Sequence, residues 1–243
     1  TNDSPPEISF KGEWGETHSL WVINQDERIN ELADAFRTVK SLYIADGHHR
    51  ALAASRVRRI RAGDSDYGSA PWDYFLTVIF PDTQLNCMEY NRIIKTLGGL
   101  SHARFLSEIS ECFDIQETSH GKPYRPRDFG LFMGDGWYRL SARPGTFPAD
   151  DPVNSLDVSI LHNNIISPIL GIKDLKKDRR IGFVGGTRGI KELERRVLSD
   201  SAAAFALYPT TVKQLMAVAD AGRIMPPKST WFFPKPYSGM VVY

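Results

Sequence analysis

Cysteine is scarce: the 243 residues contain only Cys87 and Cys112, with no paired spacing between them. This argues against a disulfide framework and a structural zinc site, and it points to a reducing compartment, hence a cytoplasmic protein. No apolar run reaches the roughly 18 residues that a membrane-crossing helix needs, so no membrane partner is expected. Charge of one sign is also lacking. Lys+Arg number 30 against 29 Asp+Glu, a net charge of +1, so no overall field recruits nucleic acid or a membrane surface. The N-terminal Thr-Asn-Asp-Ser-Pro-Pro lacks the charged-then-apolar pattern of a signal peptide. It also lacks an initiator Met, which leads us to expect a processed chain or a fragment. Internal repeats, low-complexity tracts and a helix-turn-helix pattern are absent as well. What remains, 42% hydrophobic and 24% charged, suits a soluble globular protein with one large domain or two small ones.

One stretch concentrates the chemistry. Ser41-Leu42-Tyr43-Ile44-Ala45 reads as a short apolar strand, and Ala51-Leu52-Ala53-Ala54 as the opening of a helix. Between them lie Asp46, Gly47, His48, His49 and Arg50. A strand that turns through glycine into a helix aims free backbone N–H groups and the positive end of the helix dipole at one spot. Arg50 adds a planar fork suited to phosphate, and the histidines can donate hydrogen bonds or move protons. Asp46 is an anion beside an anion-binding turn, as expected of a metal ligand or of a base for a nucleophile. The plainer alternative is that Asp46 only caps the helix.

Along the chain, residues 1–7 are expected as a disordered lead, and residues 8–11 and 19–23 as a hairpin. Ile29, Leu32, Ala33 and Phe36 recur at helical spacing, and a helix with the basic run Arg56, Arg58, Arg59 and Arg61 ends at Gly63. Residues 64–71 read as a loop. Residues 74–80 (Tyr-Phe-Leu-Thr-Val-Ile-Phe), apolar on both faces, form the strongest strand signal and predict a central strand. A second extended piece covers residues 87–92. Ser101 then opens an amphipathic helix with Phe105, Ile109 and Phe113 inward. Residues 129–133 and 137–140 flank Gly134-Asp135-Gly136 as a hairpin, and residues 144–152 are a linker or surface loop. Val158, Leu161 and Ile165 predict a helix that runs to Pro168. Further on come a strand at 181–184, a turn Gly185-Gly186-Thr187-Arg188-Gly189, a helix at 190–198 and a strand at 203–207. A helix led by Pro209-Thr210-Thr211 is ended by Gly222. The tail from Met225 is stiffened by prolines.

Other groups could also carry chemistry. Lys228, Ser229 and Thr230 offer an ammonium and two hydroxyls on a rigid segment, although terminal aromatic segments often simply pack. The 185–189 turn has the strand-to-helix setting of a phosphate cradle but lacks a Gly-Lys-Ser/Thr ending. Glu89 and Arg92 flank Asn91 near a strand end, where a site or a surface ion pair is expected. His18, His102, His120 and His162 have no ligand-like spacing.

Tyr43-Ile44-Ala45-Asp46-Gly47-His48-His49-Arg50 resembles the hallmark of a bacterial and archaeal family known as a domain of unknown function (DUF ten-fifteen). Met225-Pro226-Pro227-Lys228-Ser229-Thr230-Trp231-Phe232-Phe233-Pro234-Lys235 is similar to that family's C-terminal signature. Weaker matches are His18-Ser19-Leu20-Trp21, Asn91-Arg92, Leu156-Asp157-Val158 and Tyr208-Pro209-Thr210-Thr211, so the resemblance covers most of the chain from His18 onward. The Asp-Gly-His-His-Arg turn also resembles the phosphate-contacting turn of the ParB/sulfiredoxin-like superfamily, which includes nucleotide hydrolases, sulfiredoxin and free serine kinases. Relatives are normally longer at the N-terminus, and substrate-binding residues are expected in that part.

The resemblance implies a mixed α/β (α+β) fold. A ParB/sulfiredoxin-like core would occupy residues 8–100, and an irregular α+β portion at 101–243 would return toward it. It further implies a nucleotide-dependent phosphotransferase, with ATP or ADP and Mg²⁺ as cofactors and a small hydroxyl compound, free serine first, as acceptor. Asp46, His48, His49 and Glu89 would be catalytic, with Asp46 also the metal ligand. Gly47, His48, His49, Arg50, Asn91, Arg92, Lys228, Ser229 and Thr230 would hold the nucleotide. The alternatives are a nucleotide-binding or nucleic-acid-associated regulator, with the Arg56 to Arg61 cluster on a phosphodiester backbone, or a non-catalytic homologue. Balanced charge counts against nucleic acid.

Overall fold

The computed structural model describes residues 4–13, 15–62, 68, 70–233, 235, 237 and 239–241. Part of the expected N-terminal lead (1–3), most of the expected 64–71 loop (64–67 and 69), and Pro234 and Pro236 of the tail lie outside them. The chain divides into two compact units, residues 1–44 and 45–243.

In the first unit, β1 (Ile8–Lys11) and β2 (Thr17–Leu20) pair antiparallel as the expected hairpin, with Ser9 opposite Ser19 and Phe10 opposite His18. Glu7 N–H donates to the Leu20 carbonyl and extends the ladder by one bond. Helix α1 (Asp26–Arg37) places Asp26 and Glu27 in its first turn and Arg37 in its last, so the charges complement the helix dipole. Its apolar stripe forms as predicted but is not covered: Ile29, Leu32 and Phe36 are each nearly half exposed, and no residue of α1 is buried.

In the second unit, α2 (His48–Ala62) follows the Asp46-Gly47 turn. The core lies further along, around a six-stranded antiparallel sheet ordered β5-β7-β6-β9-β4-β8. Its strands are β4 (Tyr90–Ile94), β5 (Phe113–Thr118), β6 (Asp128–Phe132), β7 (Trp137–Ala142), β8 (Ile181–Gly185) and β9 (Ala203–Leu207). Helix α3 (His102–Ile109) is capped by Ser101, whose hydroxyl accepts the Arg104 N–H. Phe105, Ile109 and Phe113 are all fully buried, but Phe113 comes from β5, because the helix stops short of it.

Side-chain alternation puts Ile94, Leu131 and Phe205 on one face of the sheet, with α3, α4 (Asp157–Leu161) and α6 (Val212–Asp220). Ile93, Phe132, Ala204 and Ala206 face the other way, against Leu193 and Val197 of α5 (Gly189–Asp200). Helices on both faces of an antiparallel sheet make this a mixed α+β fold.

The predicted central strand is corrected. Residues 74–80 join no ladder, and Tyr74, Phe75, Leu76, Val78, Ile79 and Phe80 are 43–61% exposed. The position between β6 and β4 belongs to β9, whose five residues are all buried. Strand signals are local, whereas a central place depends on which segments find pairing partners at long range. A short ladder joins β3 (Asn86–Met88) to β10 (Trp231–Phe233), with Trp231 opposite Met88. This pairing returns the C-terminal segment to the start of β4.

Candidate functional site

Gly47 sits at φ +81°, in the left-handed region, and its carbonyl accepts the Ala51 N–H to start α2. A helix leaves its first N–H groups outside its own ladder, here those of His48, His49 and Arg50. The first turn of α2 holds no acidic residue. The Arg50 guanidinium folds back over Gly47, with Nη2 3.6 Å from where a Cβ would stand. His48, His49 and Arg50 are exposed. Together they form an open, cationic helix N-terminus of the kind that receives phosphate.

Asp46 flanks that end. One carboxylate oxygen accepts the Gly47 N–H at 2.8 Å, and the other accepts Lys235 Nζ at 2.9 Å. The hydrogen bond from Lys235 is the main reason its carboxyl lies below the usual range, aided by the Gly47 N–H and the nearby His48 and opposed by partial burial. Sequence reasoning passed over Lys235, which stands far from Asp46 along the chain. Its place directly after the aromatic-proline run was the one available signal.

From Lys235 a row of rings leads into the sheet. Lys235 Nζ lies 5.5 Å from the Trp231 ring centroid. Trp231 meets Tyr90 edge-on at 5.3 Å, and Tyr90 meets Phe183 edge-on at 6.1 Å. Lys228 Nζ stands 5.5 Å from the Tyr90 ring, and the Arg92 guanidinium 4.8 Å from that of Phe183. Each such contact is worth about 0.5–1 kcal/mol at exposed sites and more where water is excluded. Trp231 can lie this close to β8 because Gly185 has no side chain: a Cβ there would be 2.8 Å from the indole.

The other predicted residues take distinct places. Arg92 is 1% exposed, and its guanidinium donates to the Tyr90 carbonyl at 2.7 Å and the Lys228 carbonyl at 3.0 Å. Burial pushes it below the usual guanidinium range. Lys228 has φ +60°, a strained conformation for a side-chain-bearing residue of the kind that clusters at functional sites. It is pinned on both sides: the Ser229 hydroxyl donates to the Pro226 carbonyl at 2.6 Å, and Thr210 donates to the Ser229 carbonyl at 3.0 Å. Thr230 adjoins Trp231 and is half-buried. Asn91 is fully buried on the opposite face of β4 from Arg92. Its Oδ1 accepts the Leu207 N–H at 3.0 Å, and its Nδ2 has no acceptor among the described residues. Glu89, 6% exposed, packs its carboxyl group against Gly186, whose N–H donates to the Glu89 carbonyl oxygen at 2.9 Å.

Asp46, Gly47, Arg50 and Lys235 are thus assembled at one helix end, and Arg92, Lys228 and Ser229 form one pinned group. Trp231 and the 185–186 turn connect both with Glu89. No group of three or more His, Cys, Asp or Glu suited to a metal exists among the described residues. None of the described helices is long and apolar enough to cross a membrane.

No curated protein matches this chain. Among solved structures, a free serine kinase variant in complex with AMP aligns with a TM-score of 0.40 and 14% identity, over 78% of this chain and 66% of its own. A variant in complex with ADP gives 0.40 and 16% over the same shares. A free serine kinase in complex with AMP gives 0.38 and 11%, over 86% of this chain and 81% of its own. This chain therefore spans 66% of the length of the first of these structures. The model of the family described as protein of unknown function (DUF1015) matches residues 1–159, well over half of the sequence, and the chain belongs to that family.

Proposed function

We propose that the protein is a nucleotide-dependent phosphotransferase whose acceptor is a small hydroxyl compound, with free serine the first candidate. The observation that carries this reading is the open N-terminus of α2, with Arg50 over Gly47 and a carboxylate, Asp46, held beside it by a lysine. The backbone N–H groups of His48, His49 and Arg50 would bind nucleotide phosphate, with the Arg50 guanidinium as a clamp.

Phosphoryl transfer needs positioning and charge neutralisation more than covalent help. The acceptor oxygen attacks the terminal phosphorus, the bond from that phosphorus to the nucleotide oxygen breaks, and the nucleotide leaves with the electron pair. The acceptor proton passes to a carboxylate. Glu89 suits that role better than Asp46, because it is buried and has no cationic partner among the described residues, whereas Lys235 weakens Asp46 as a base. Asp46 suits Mg²⁺ as a single protein carboxylate, since this ion commonly takes its remaining ligands from phosphate and water. Bound there, Mg²⁺ would offset phosphate charge. Lys235 would be released from Asp46 in exchange.

The regulator reading has less support. Of its arginine cluster, Arg58 is paired with Asp73 at 3.0 Å and Arg61 lies over the Trp72 ring.

The test is to incubate the protein with ADP, ATP or polyphosphate, Mg²⁺ and a pool of hydroxylated metabolites, beside Asp46→Asn, and to follow products by mass spectrometry. New phosphoserine that disappears with Asp46→Asn supports the proposal. Absence of any phosphoester, with nucleotide binding intact in a calorimeter, overturns it.

A further inference from the structure

A second region has the features of a binding site and lies apart from the Asp46 turn. The chain leaves α4 through a π-helical turn, His162–Ile166, in which the Ser167 N–H donates to the His162 carbonyl at 2.8 Å. Such a turn costs hydrogen-bond geometry and recurs at functional positions. Here it sets His162 in the wall of a depression of ≈490 Å³, opposite the 173–176 loop and beside Pro226 and Pro227. That volume suits a small metabolite.

The His162 Nδ1 is buried and has no hydrogen-bond partner among the described residues. A buried polar atom without a partner costs roughly 1–3 kcal/mol, so this ring is held in place at a cost, with the rest of its surface lining the depression. Burial, and then the field of Arg92, lower the His162 pKa. Arg92 itself is buried, is in no ion pair among the described residues, and is hydrogen-bonded to Lys228, next to the proline wall. Lys173 and Lys176 stand on the rim, exposed and in no ion pair among the described residues. The acid of the lining, Asp174, is occupied within its own loop, where it accepts the Lys176 N–H at 2.9 Å and the Lys177 N–H at 3.3 Å. The lining thus carries two lysines against one aspartate, and Asn163 adds a neutral donor.

We propose that this depression binds a small-molecule oxyanion, phosphate or carboxylate, through a hydrogen bond to the His162 ring and the ammonium groups of Lys173 and Lys176. The site is independent of the phosphotransfer reading.

The experiment is a titration of the whole chain with inorganic phosphate, and separately with acetate, at constant ionic strength, observed through its histidine side-chain NMR signals. His162→Gln assigns the signal. A saturable shift of the His162 resonance is expected, with a Kd below about 1 mM for the preferred anion. At least a tenfold weakening should follow in Lys173→Ala/Lys176→Ala, whose exposed positions leave the fold intact by circular dichroism. Asp46→Asn should leave the titration unchanged. Response to phosphate alone, or to acetate alone, identifies which oxyanion is bound. No saturable shift, or an equal response in the double lysine variant, overturns the proposal. So does a shift confined to His48 and His49.

Discussion

Two glycine turns lead into helices in this molecule, Asp46-Gly47 into α2 and residues 185–189 into α5, and both are readable as phosphate cradles. They differ in what fills them. At the second, Gly186 is buried, and a Cβ there would stand 2.9 Å from the Glu89 carboxyl carbon. Trp231 covers Gly185, and Glu192 supplies negative charge to the first turn of α5. Protein groups already pack against this turn. At the first turn the group over the glycine is the Arg50 guanidinium, the helix has no acidic residue in its first turn, and the charged neighbour, Asp46, is held aside by Lys235. A glycine turn ahead of a helix specifies a shape. Whether that shape is vacant depends on side chains from distant parts of the chain.

The sharpest way to break this comparison is Asp46→Asn. If the open turn carries the chemistry, phosphoryl transfer falls by about 100-fold or more, with an unchanged circular dichroism spectrum because Asp46 is exposed. Activity within a few-fold of the parent would remove the functional distinction between the turns. Glu89→Gln tests whether the closed turn only packs. As the proton acceptor, Glu89 supports a rate about 100-fold higher, so kcat should drop with nucleotide affinity retained. An unchanged kcat would leave Glu89 as packing alone.

Stability measurements separate the two glycines. Gly186→Ala forces a methyl group into a packed contact and should cost about 1–3 kcal/mol in chemical denaturation. Gly47→Ala has room, and its cost of about 1 kcal/mol comes from the left-handed backbone. Asparagine should therefore be tolerated at 47, which admits this conformation, and rejected at 186.

The smallest effect is expected from Lys235→Ala, which should raise the Asp46 pKa toward the ordinary carboxylate value in a side-chain NMR titration. Because the folded pKa is depressed, the pair's stabilisation is present above the unfolded value. It fades as pH falls through the folded one. Both groups are more than half exposed, so the difference in unfolding free energy at neutral pH should stay within about 0.5 kcal/mol and vanish in acid.

Much of the fold was legible where the cause is local. Ser101 capping α3, the β6–β7 hairpin around Gly134 and Gly136, and the start of α6 after Thr211 all form as their residues suggest. The Asp46-Gly47 turn into α2 also forms, but the strand expected ahead of it at residues 41–45 does not: they join no ladder. The failures were non-local. Residues 74–80 carry more strand signal than the Ala-rich β9, yet β9 takes the centre because β6 and β4 bond it on both sides. Within the candidate site, Arg92 and Lys228 were named separately, but the hydrogen bond that joins them spans most of the chain. The π turn at His162 left no mark in the helical periodicity from Val158 to Ile165.

By itself, the sequence determined which residues turn, cap and start helices, and which chemistry is gathered around Asp46, because those choices rest on backbone conformation and hydrogen bonds within a few residues. Only the tertiary structure decided that one glycine turn is open and the other filled, and that Lys235 reaches Asp46. It also decided that Asn91 and Arg92, adjacent in β4, are buried on opposite faces. Such contacts arise from strand pairing and burial between distant segments, whose free energy no local pattern encodes.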